Sequence, residues 1–490
     1  MDYMYLKSGT DVRGIASDLG GKEVELTNEA VYDISAAFVV WCVNRLSKPA
    51  NELQIALGHD SRITADRISE QVKAALTKAG VTVLDCGLAS TPAMFMTTVD
   101  LHTDAAIQIT ASHHPFDRNG LKFFIGSGGL EGSDIAEILR LAENQEECIS
   151  ETVGAVKKCD YMTDYAARLR NMIIREVGKG KMPLKNYQIV VDAGNGVGGF
   201  YAKNVLAPLG ADISGSQFLE PDGMFPNHIP NPENKQAIES ICDAVKSSGA
   251  DFGVIFDTDV DRAGCVDGDG NEINRNRLIA IASYIALGGR KGGTIVTDSV
   301  TSDGLKKYIQ EDLGGVHYRY RRGYKNVINK AIELCEQGID CPLAIETSGH
   351  AALKENYFLD DGAYLSTKII IELAKGTDVK ALLSTMEMPA EEAEYRFNIK
   401  TKDLKAYGEN VIVNLEKFVE DKTDYIIADD NREGIRVSTP NGWFLLRLSV
   451  HDPVMPMNFE SNDIGGIDIM KKELKAFFES FSELEIPNEF

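Results

Sequence analysis

Three times the sequence runs through one order of elements: an apolar strand, a polar loop, a helix closed by glycine, and a further strand. The first passage is Leu53-Gln-Ile-Ala-Leu-Gly-His-Asp-Ser-Arg62, a helical stretch from Thr64 to Lys78, Gly80, and the strand Val81-Thr-Val-Leu84. The second begins at Tyr187-Gln-Ile-Val-Val-Asp192, turns through Ala-Gly-Asn-Gly-Val-Gly-Gly199 into a helix ending near Gly210, and starts a strand at Ala211-Asp-Ile213. The third runs from Thr294-Ile-Val-Thr-Asp298 through a helix ending at Gly314-Gly315 to Val316-His-Tyr318. A strand followed by a helix and a parallel strand buries the sheet face under the helix, so the fold class is α/β, with three domains of related architecture. A chain of 490 residues exceeds one core, and the usual scale of about 100 to 200 residues per domain gives three or four. Pro389 and the acidic residues of 386–395 break the pattern and mark a boundary. The last hundred residues alternate short strands (Tyr425-Ile-Ile, Gly434-Ile-Arg-Val, Gly442-Trp-Phe-Leu-Leu-Arg-Leu) with helices such as Ile467 to Phe481, an α+β pattern. The expected domains are 1–158, 159–273, 274–388 and 389–490.

A formal charge of −23 argues against nucleic acid and anionic membrane as partners, since both require a broad basic surface. Cations for an anionic substrate must therefore be gathered locally. No stretch approaches the roughly 18 apolar residues of a membrane span, and Met1 to Thr10 lack a basic leader followed by an apolar run, so a cytoplasmic location is expected. The cysteines at 42, 86, 148, 159, 242, 265, 335 and 341 include no Cys-x-x-Cys pair, which indicates reduced thiols without a zinc site or disulfide framework. Gly194 to Gly199 does not place glycines in the dinucleotide-binding register and reads as a tight turn.

Four segments carry chemistry. Ile107-Gln-Ile-Thr-Ala-Ser-His-His-Pro115 ends a short apolar run in a small-residue turn that displays Ser112, either as a nucleophile or group carrier or as an ordinary turn serine. Gly9-Thr-Asp-Val-Arg13-Gly14 presents Arg13 between small residues, as an anion contact or a surface arginine. Phe252-Gly-Val-Ile-Phe-Asp257-Thr-Asp259-Val-Asp261-Arg262 delivers three carboxylates from an apolar strand into a loop. Such a concentration of negative charge calls for a cation, and hard oxygen ligands suit magnesium; Arg262 and Gly268 stand where an EF-hand needs glycine and glutamate. Leu343-Ala-Ile-Glu346-Thr-Ser348-Gly-His350 offers a carboxylate, a hydroxyl and an imidazole, suited to sugar hydroxyls and equally to capping a helix.

In this order and at these separations, Thr110-Ala-Ser112-His113-His-Pro115, Asp257-Thr-Asp-Val-Asp261-Arg262 and Glu346-Thr-Ser-Gly-His350 resemble the α-D-phosphohexomutases, the phosphoglucomutase and phosphomannomutase superfamily. The resemblance extends over essentially the whole chain and includes Gly58-His-Asp-Ser-Arg62, the segment Pro221 to Pro232, and Asp360-Asp-Gly362. It implies four domains around a central cleft: three related α/β domains with mixed sheets and a C-terminal α+β domain like the TATA-binding protein. It implies that Ser112 is a phosphoserine and that Ser112, Asp257, Asp259 and Asp261 hold Mg2+. Arg13, Lys122 and Arg262 would be the cations at the transfer centre, where Lys122, crowded by the two arginines, would act as general acid and base, with His113 and His350 beside the reacting groups. Glu346 and Ser348 would bind sugar hydroxyls. Gly323, Tyr324 and Lys325 would meet the substrate, and Arg447, Ser449 and His451 would grip its distal phosphate.

The implied activity interconverts the 1- and 6-phosphates of glucose or mannose, with hexose 1,6-bisphosphate as intermediate and activator and a phosphorylated hexose as partner. The alternatives are an amino-sugar mutase, because the Glu346 loop leaves the C2 substituent open, a metal-dependent phosphatase, and a non-catalytic phosphosugar-binding protein. Three places depart from the family pattern: His114 after His113, Tyr324 after Gly323, and the loop Arg447-Leu-Ser449-Val-His451-Asp452-Pro453 with no later arginine.

Overall fold

The computed structural model describes residues 2–449 and 453–490; His451 falls outside them. It divides into one unit of Met1–Asn274, Ser348–Ala351 and Leu359–Asp378, and a second of Arg275–Thr347, Ala352–Phe358 and Val379–Phe490.

Parallel pairing in the first unit follows from its crossovers. Gln54–His59 runs parallel to Thr82–Leu88 and to Ala105–Ile109, with the helices Ala65–Lys78 and Thr91–Asp100 making the connections. The first of these helices buries Ile68, Val72, Ala75 and Leu76, the three- and four-residue spacing of one helix face. Each large aliphatic side chain buried there contributes about 1.5–3 kcal/mol. Arg118–Ile125 then returns antiparallel to Ala105–Ile109, and Asp11–Ile15 pairs antiparallel beyond it, so the sheet is mixed. The helix Asn28–Leu46, capped by the Thr27 hydroxyl, lays Phe38 against Phe123 in the same core.

A second sheet in this unit pairs Ile189–Asp192 parallel to Phe252–Phe256 and Phe252–Phe256 antiparallel to Ala263–Asp267. The glycine-rich segment 194–199 is a turn, as the sequence suggested. The helix expected after it is a π-helical turn, Tyr201–Leu206, followed by a 3-10 turn, Ala207–Leu209. Pro208 has no N–H to extend a regular ladder. The strand expected at 211–213 is reduced to one bridge between Asp212 and Gln188, because the chain turns at Ser214-Gly215.

In the second unit Thr294–Asp298 lies between Val316–Tyr320 and Leu343–Ile345, all parallel. The last strands form an antiparallel sheet in the order Ile426–Ile427, Ile435–Thr439, Gly442–Leu446, Val454–Ser461, Glu391–Ile399, Leu484–Glu485, packed on the helices Leu404–Glu420 and Gly466–Glu479. The acidic run at 391–394 belongs to this sheet, with Glu392 and Glu394 alternating against Ala393 and Tyr395.

Candidate active site

Ser112 sits where the strand Ala105–Ile109 ends, and its backbone is left-handed (φ 50°), a conformation that side chains other than glycine rarely adopt. The strain is held in place by hydrogen bonds. The Ser112 amide donates to the Thr110 hydroxyl at 2.8 Å, and Thr110 donates to Asp60 at 2.7 Å. Asp60 in turn faces Arg62, whose guanidinium donates to the carbonyls of Ser112 and His114 (2.5 Å each), Pro115 (2.6 Å) and Arg118 (2.8 Å). One arginine, only 2 % exposed, thus binds the backbone of the whole serine loop.

The Ser112 hydroxyl donates to Asp257 Oδ2 at 3.0 Å and lies 3.3 Å from His113 Nδ1. Asp257, Asp259 and Asp261 follow the strand Phe252–Phe256, and a ligand atom from each lies within 4.8 Å of the others. Their loop includes Val260 at φ 67°, strained for a β-branched residue, and its carbonyl accepts from the Gly362 amide at 3.0 Å. A Cβ on Gly362 would stand 2.6 Å from the Arg262 carbonyl group, so only glycine permits this approach. Thr91 secures the loop from the other side: its amide donates to the Asp259 carbonyl at 2.9 Å and its hydroxyl to the Asp259 carboxylate.

Lys122 and Arg262 answer the charge. Lys122 Nζ lies 2.5 Å from Asp261 and 3.2 Å from Asp259, and Arg262 Nε 3.4 Å from Asp257. Lys122 thus meets the acidic cluster directly, the influence that opposes any crowding by the arginines. Arg13 pairs with Asp11 at 2.7 Å, one strand away from Lys122: Arg13 registers with Gly120, and Lys122 follows two residues on. Burial, then Asp261 and Asp259, pushes the Asp257 carboxyl well above the carboxylate range. For Asp261 burial pulls in the same direction but loses to Lys122, His350 and Arg262, which hold it well below. Burial, reinforced by Arg262, carries His113 far below its ordinary value, and burial lowers His350 to about 3. Both imidazoles are neutral near pH 7. His350 Nε2 is 3.8 Å from Asp261, and its Nδ1 is 2.8 Å from the Ser348 hydroxyl.

The residues fit a hard divalent cation. Asp259 Oδ1 and Asp261 Oδ1 are buried without a hydrogen-bond partner, an expensive state for carboxylate oxygens that a metal relieves.

A second group of expected residues stands in the second unit. Glu346 ends the strand Leu343–Ile345 and accepts the Gly323 amide at 2.6 Å. Gly323 (φ 118°) opens the helix Tyr324–Glu336, which carries Lys325, and Tyr324 packs against that helix's apolar cluster. Asp298 accepts from the Thr347 amide and hydroxyl, and burial raises its carboxyl against the pull of Arg322. Arg447 is buried with Nε unpartnered, directly after the strand Gly442–Leu446, and the Ser449 amide donates to Val454. Glu433, unnoticed in the sequence, accepts from the Arg322 amide at 3.1 Å and the Ser299 hydroxyl, and is the first attraction felt by Arg447.

For Arg62, Thr91 and Asp60 the sequence likewise assigns no role; the motif Gly58 to Arg62 is the signal for two of them.

Comparison with known proteins gives this geometry its context. Models described as "Phosphoglucomutase/phosphomannomutase, alpha/beta/alpha domain" I, II and III match residues 7–148, 163–270 and 274–388. The chain belongs to the phosphoglucomutase/phosphomannomutase family. Within it, the chain is 30% identical over 483 residues to a phosphoglucomutase of Neisseria gonorrhoeae, covering 97% of each. It is 27% identical over 483 residues to a phosphomannomutase/phosphoglucomutase of Pseudomonas aeruginosa, covering 95% of this chain and 94% of that one. A phosphoglucomutase/phosphomannomutase family protein of Burkholderia thailandensis, solved by crystallography, superposes with a TM-score of 0.80 at 25% identity over 98% of both chains. The family places the chain in the α-D-phosphohexomutase superfamily, with its four-domain architecture of mixed α/β sheets, and makes it a phosphotransferase of the mutase type.

Proposed function

We propose that this mutase interconverts hexose 1-phosphate and hexose 6-phosphate, of glucose and/or mannose, through a phosphoserine at Ser112 and a hexose 1,6-bisphosphate that also activates it. The supporting observation is the Ser112 hydroxyl 3.0 Å from Asp257 in a buried carboxylate cluster with two orphaned oxygens and the cations Lys122 and Arg262 alongside. Asp257, Asp259, Asp261 and Ser112 would hold Mg2+, which supplies neutralisation of charge on the transferring phosphoryl group.

In the forward half the P–Oγ bond of phospho-Ser112 breaks as a P–O bond forms to the free sugar hydroxyl. Lys122 handles the hydroxyl proton, and Arg13 and Arg262 attract the phosphoryl oxygens. The bisphosphate turns end for end and returns its other phosphoryl to Ser112, which restores the enzyme. His113 and His350, neutral at pH 7, serve as hydrogen-bonding groups beside the reacting atoms. Glu346 and Ser348 would bind sugar hydroxyls; Gly323, Tyr324 and Lys325 would meet the sugar phosphate; and Arg447 and Ser449 would bind its distal phosphate.

The test incubates the protein with magnesium, each hexose 1-phosphate and a trace of bisphosphate, following 6-phosphate and free phosphate together. Isomerisation without phosphate release supports the mutase. Phosphate release alone, or no turnover by protein already phosphorylated on Ser112, refutes it.

A further inference from the structure

Two of the eight cysteines meet outside the site just described. Cys86 lies in the strand Thr82–Leu88, which pairs parallel to Val156–Lys158 with Asp85 opposite Lys158. The Cys159 amide then donates to the Asp85 carbonyl at 2.9 Å, continuing the register so that Cys159 falls opposite Cys86. Neighbouring strands run about 4.8 Å apart, within the Cα separation of roughly 4.4–6.8 Å that a disulfide spans. The other neighbour of this strand skips Cys86, pairing Leu57 with Asp85 and Gly58 with Gly87, so Cys86 occupies a bulge with its geometry freed from that side. Cys159 is among the groups that act electrostatically on Cys86, and both thiols are free.

We infer that Cys86 and Cys159 form an oxidisable dithiol site that closes to a disulfide on reaction with hydrogen peroxide. Cys159, the more exposed, is the attacking thiol. Its sulfur takes the outer peroxide oxygen, the O–O bond breaks, and water leaves, giving a sulfenic acid. The Cys86 sulfur then attacks the Cys159 sulfur and loses its proton as the hydroxyl departs as a second water. Two thiols are oxidised and one peroxide is reduced to two waters. Burial, then Cys159, raises the Cys86 thiol far above its ordinary value, so Cys86 is the slower of the two to react and attacks only after Cys159 has been oxidised. The strand carrying Cys86 ends at Leu88, and three residues later the chain reaches Thr91, which holds Asp259, so the bond would form close in sequence to the brace of the acidic loop.

The experiment treats the full-length native protein with a few equivalents of hydrogen peroxide, alkylates the remaining thiols and maps the peptides by mass spectrometry. It is independent of the mutase reading, because no turnover is measured. Two thiols should be lost to a Cys86–Cys159 peptide and regained with dithiothreitol, while Cys159→Ser under the same exposure forms no new bond. Cys86→Ser should accumulate a dimedone-trappable sulfenic acid at Cys159. A bond confined to Cys335 and Cys341, overoxidation of Cys159 with Cys86 still alkylated, or pairing only in urea would overturn the inference.

Discussion

Replacing Arg62 with methionine keeps most of the side-chain volume and removes the guanidinium from a fully enclosed position. Four carbonyls, contacted at 2.5, 2.5, 2.6 and 2.8 Å, lose their donor, and the Asp60 carboxylate, 3.3 Å from Nε and equally enclosed, loses its counter-ion. Breaking a buried pair from one side costs about 3–5 kcal/mol, since the surviving charge is left uncompensated. At roughly 2–4 °C per kcal/mol for a domain of this scale, thermal unfolding should move down by about 6–20 °C. The Ser112 backbone, left-handed and no longer tied, should shift, and a displacement of the order of 1 Å costs about a hundredfold in kcat. Asp60→Asn in the same protein should restore part of the stability, because it removes the stranded charge, but should leave kcat low because the carbonyls stay untied. Differential scanning fluorimetry and steady-state assays on wild type and the two variants decide the matter. A loss below about 1 kcal/mol for Arg62→Met, or wild-type kcat in the folded variant, would refute the reasoning.

Further tests follow from other groups. Burial raises the Glu460 carboxyl to about 7, against the opposing pull of Trp443 and Arg436. A raised carboxyl binds its proton more readily folded than unfolded, so the stability it supports at low pH is lost as pH climbs from about 4.5 to 7; the loss is of order 3 kcal/mol. Wild type should therefore fall relative to Glu460→Gln between pH 5 and pH 8 in chemical denaturation, and parallel curves would contradict this. Gly362→Ala drives a Cβ into the Arg262 backbone and should destabilise by about 1–3 kcal/mol, with weaker cation binding by calorimetry. Asp259→Asn removes a charge from the triad and should weaken Mg2+ binding tenfold or more, on the order of other losses at metal sites.

Much of this was legible in the chain because its signals are local. Strand, loop and helix alternate within a few dozen residues, so the α/β class follows from neighbouring residues alone, whereas the segments around Ser112 and Glu346 stand out by residue type but take their expected roles from the family resemblance. Arg62 acts on carbonyls some fifty residues away, and Thr91 on an aspartate 168 residues away. Neither partnership leaves a pattern in the sequence. Glu433 resembles any loop glutamate until the fold brings Ser299 and Arg322 to it. The helix expected before Gly210 does end there, capped by Gly210 in the left-handed region, but as a π turn and a 3-10 turn, and nothing in its apolar spacing distinguishes these from a regular α-helix.

The central claim is that Ser112 carries the phosphoryl group, and site mapping of the loaded enzyme tests it most directly. Incubated with hexose 1,6-bisphosphate and magnesium, the protein should take up one phosphoryl group per chain, located by peptide mass spectrometry on Ser112 and discharged by adding hexose 1-phosphate. Phosphate on another residue, or full isomerisation by Ser112→Ala, would contradict the account.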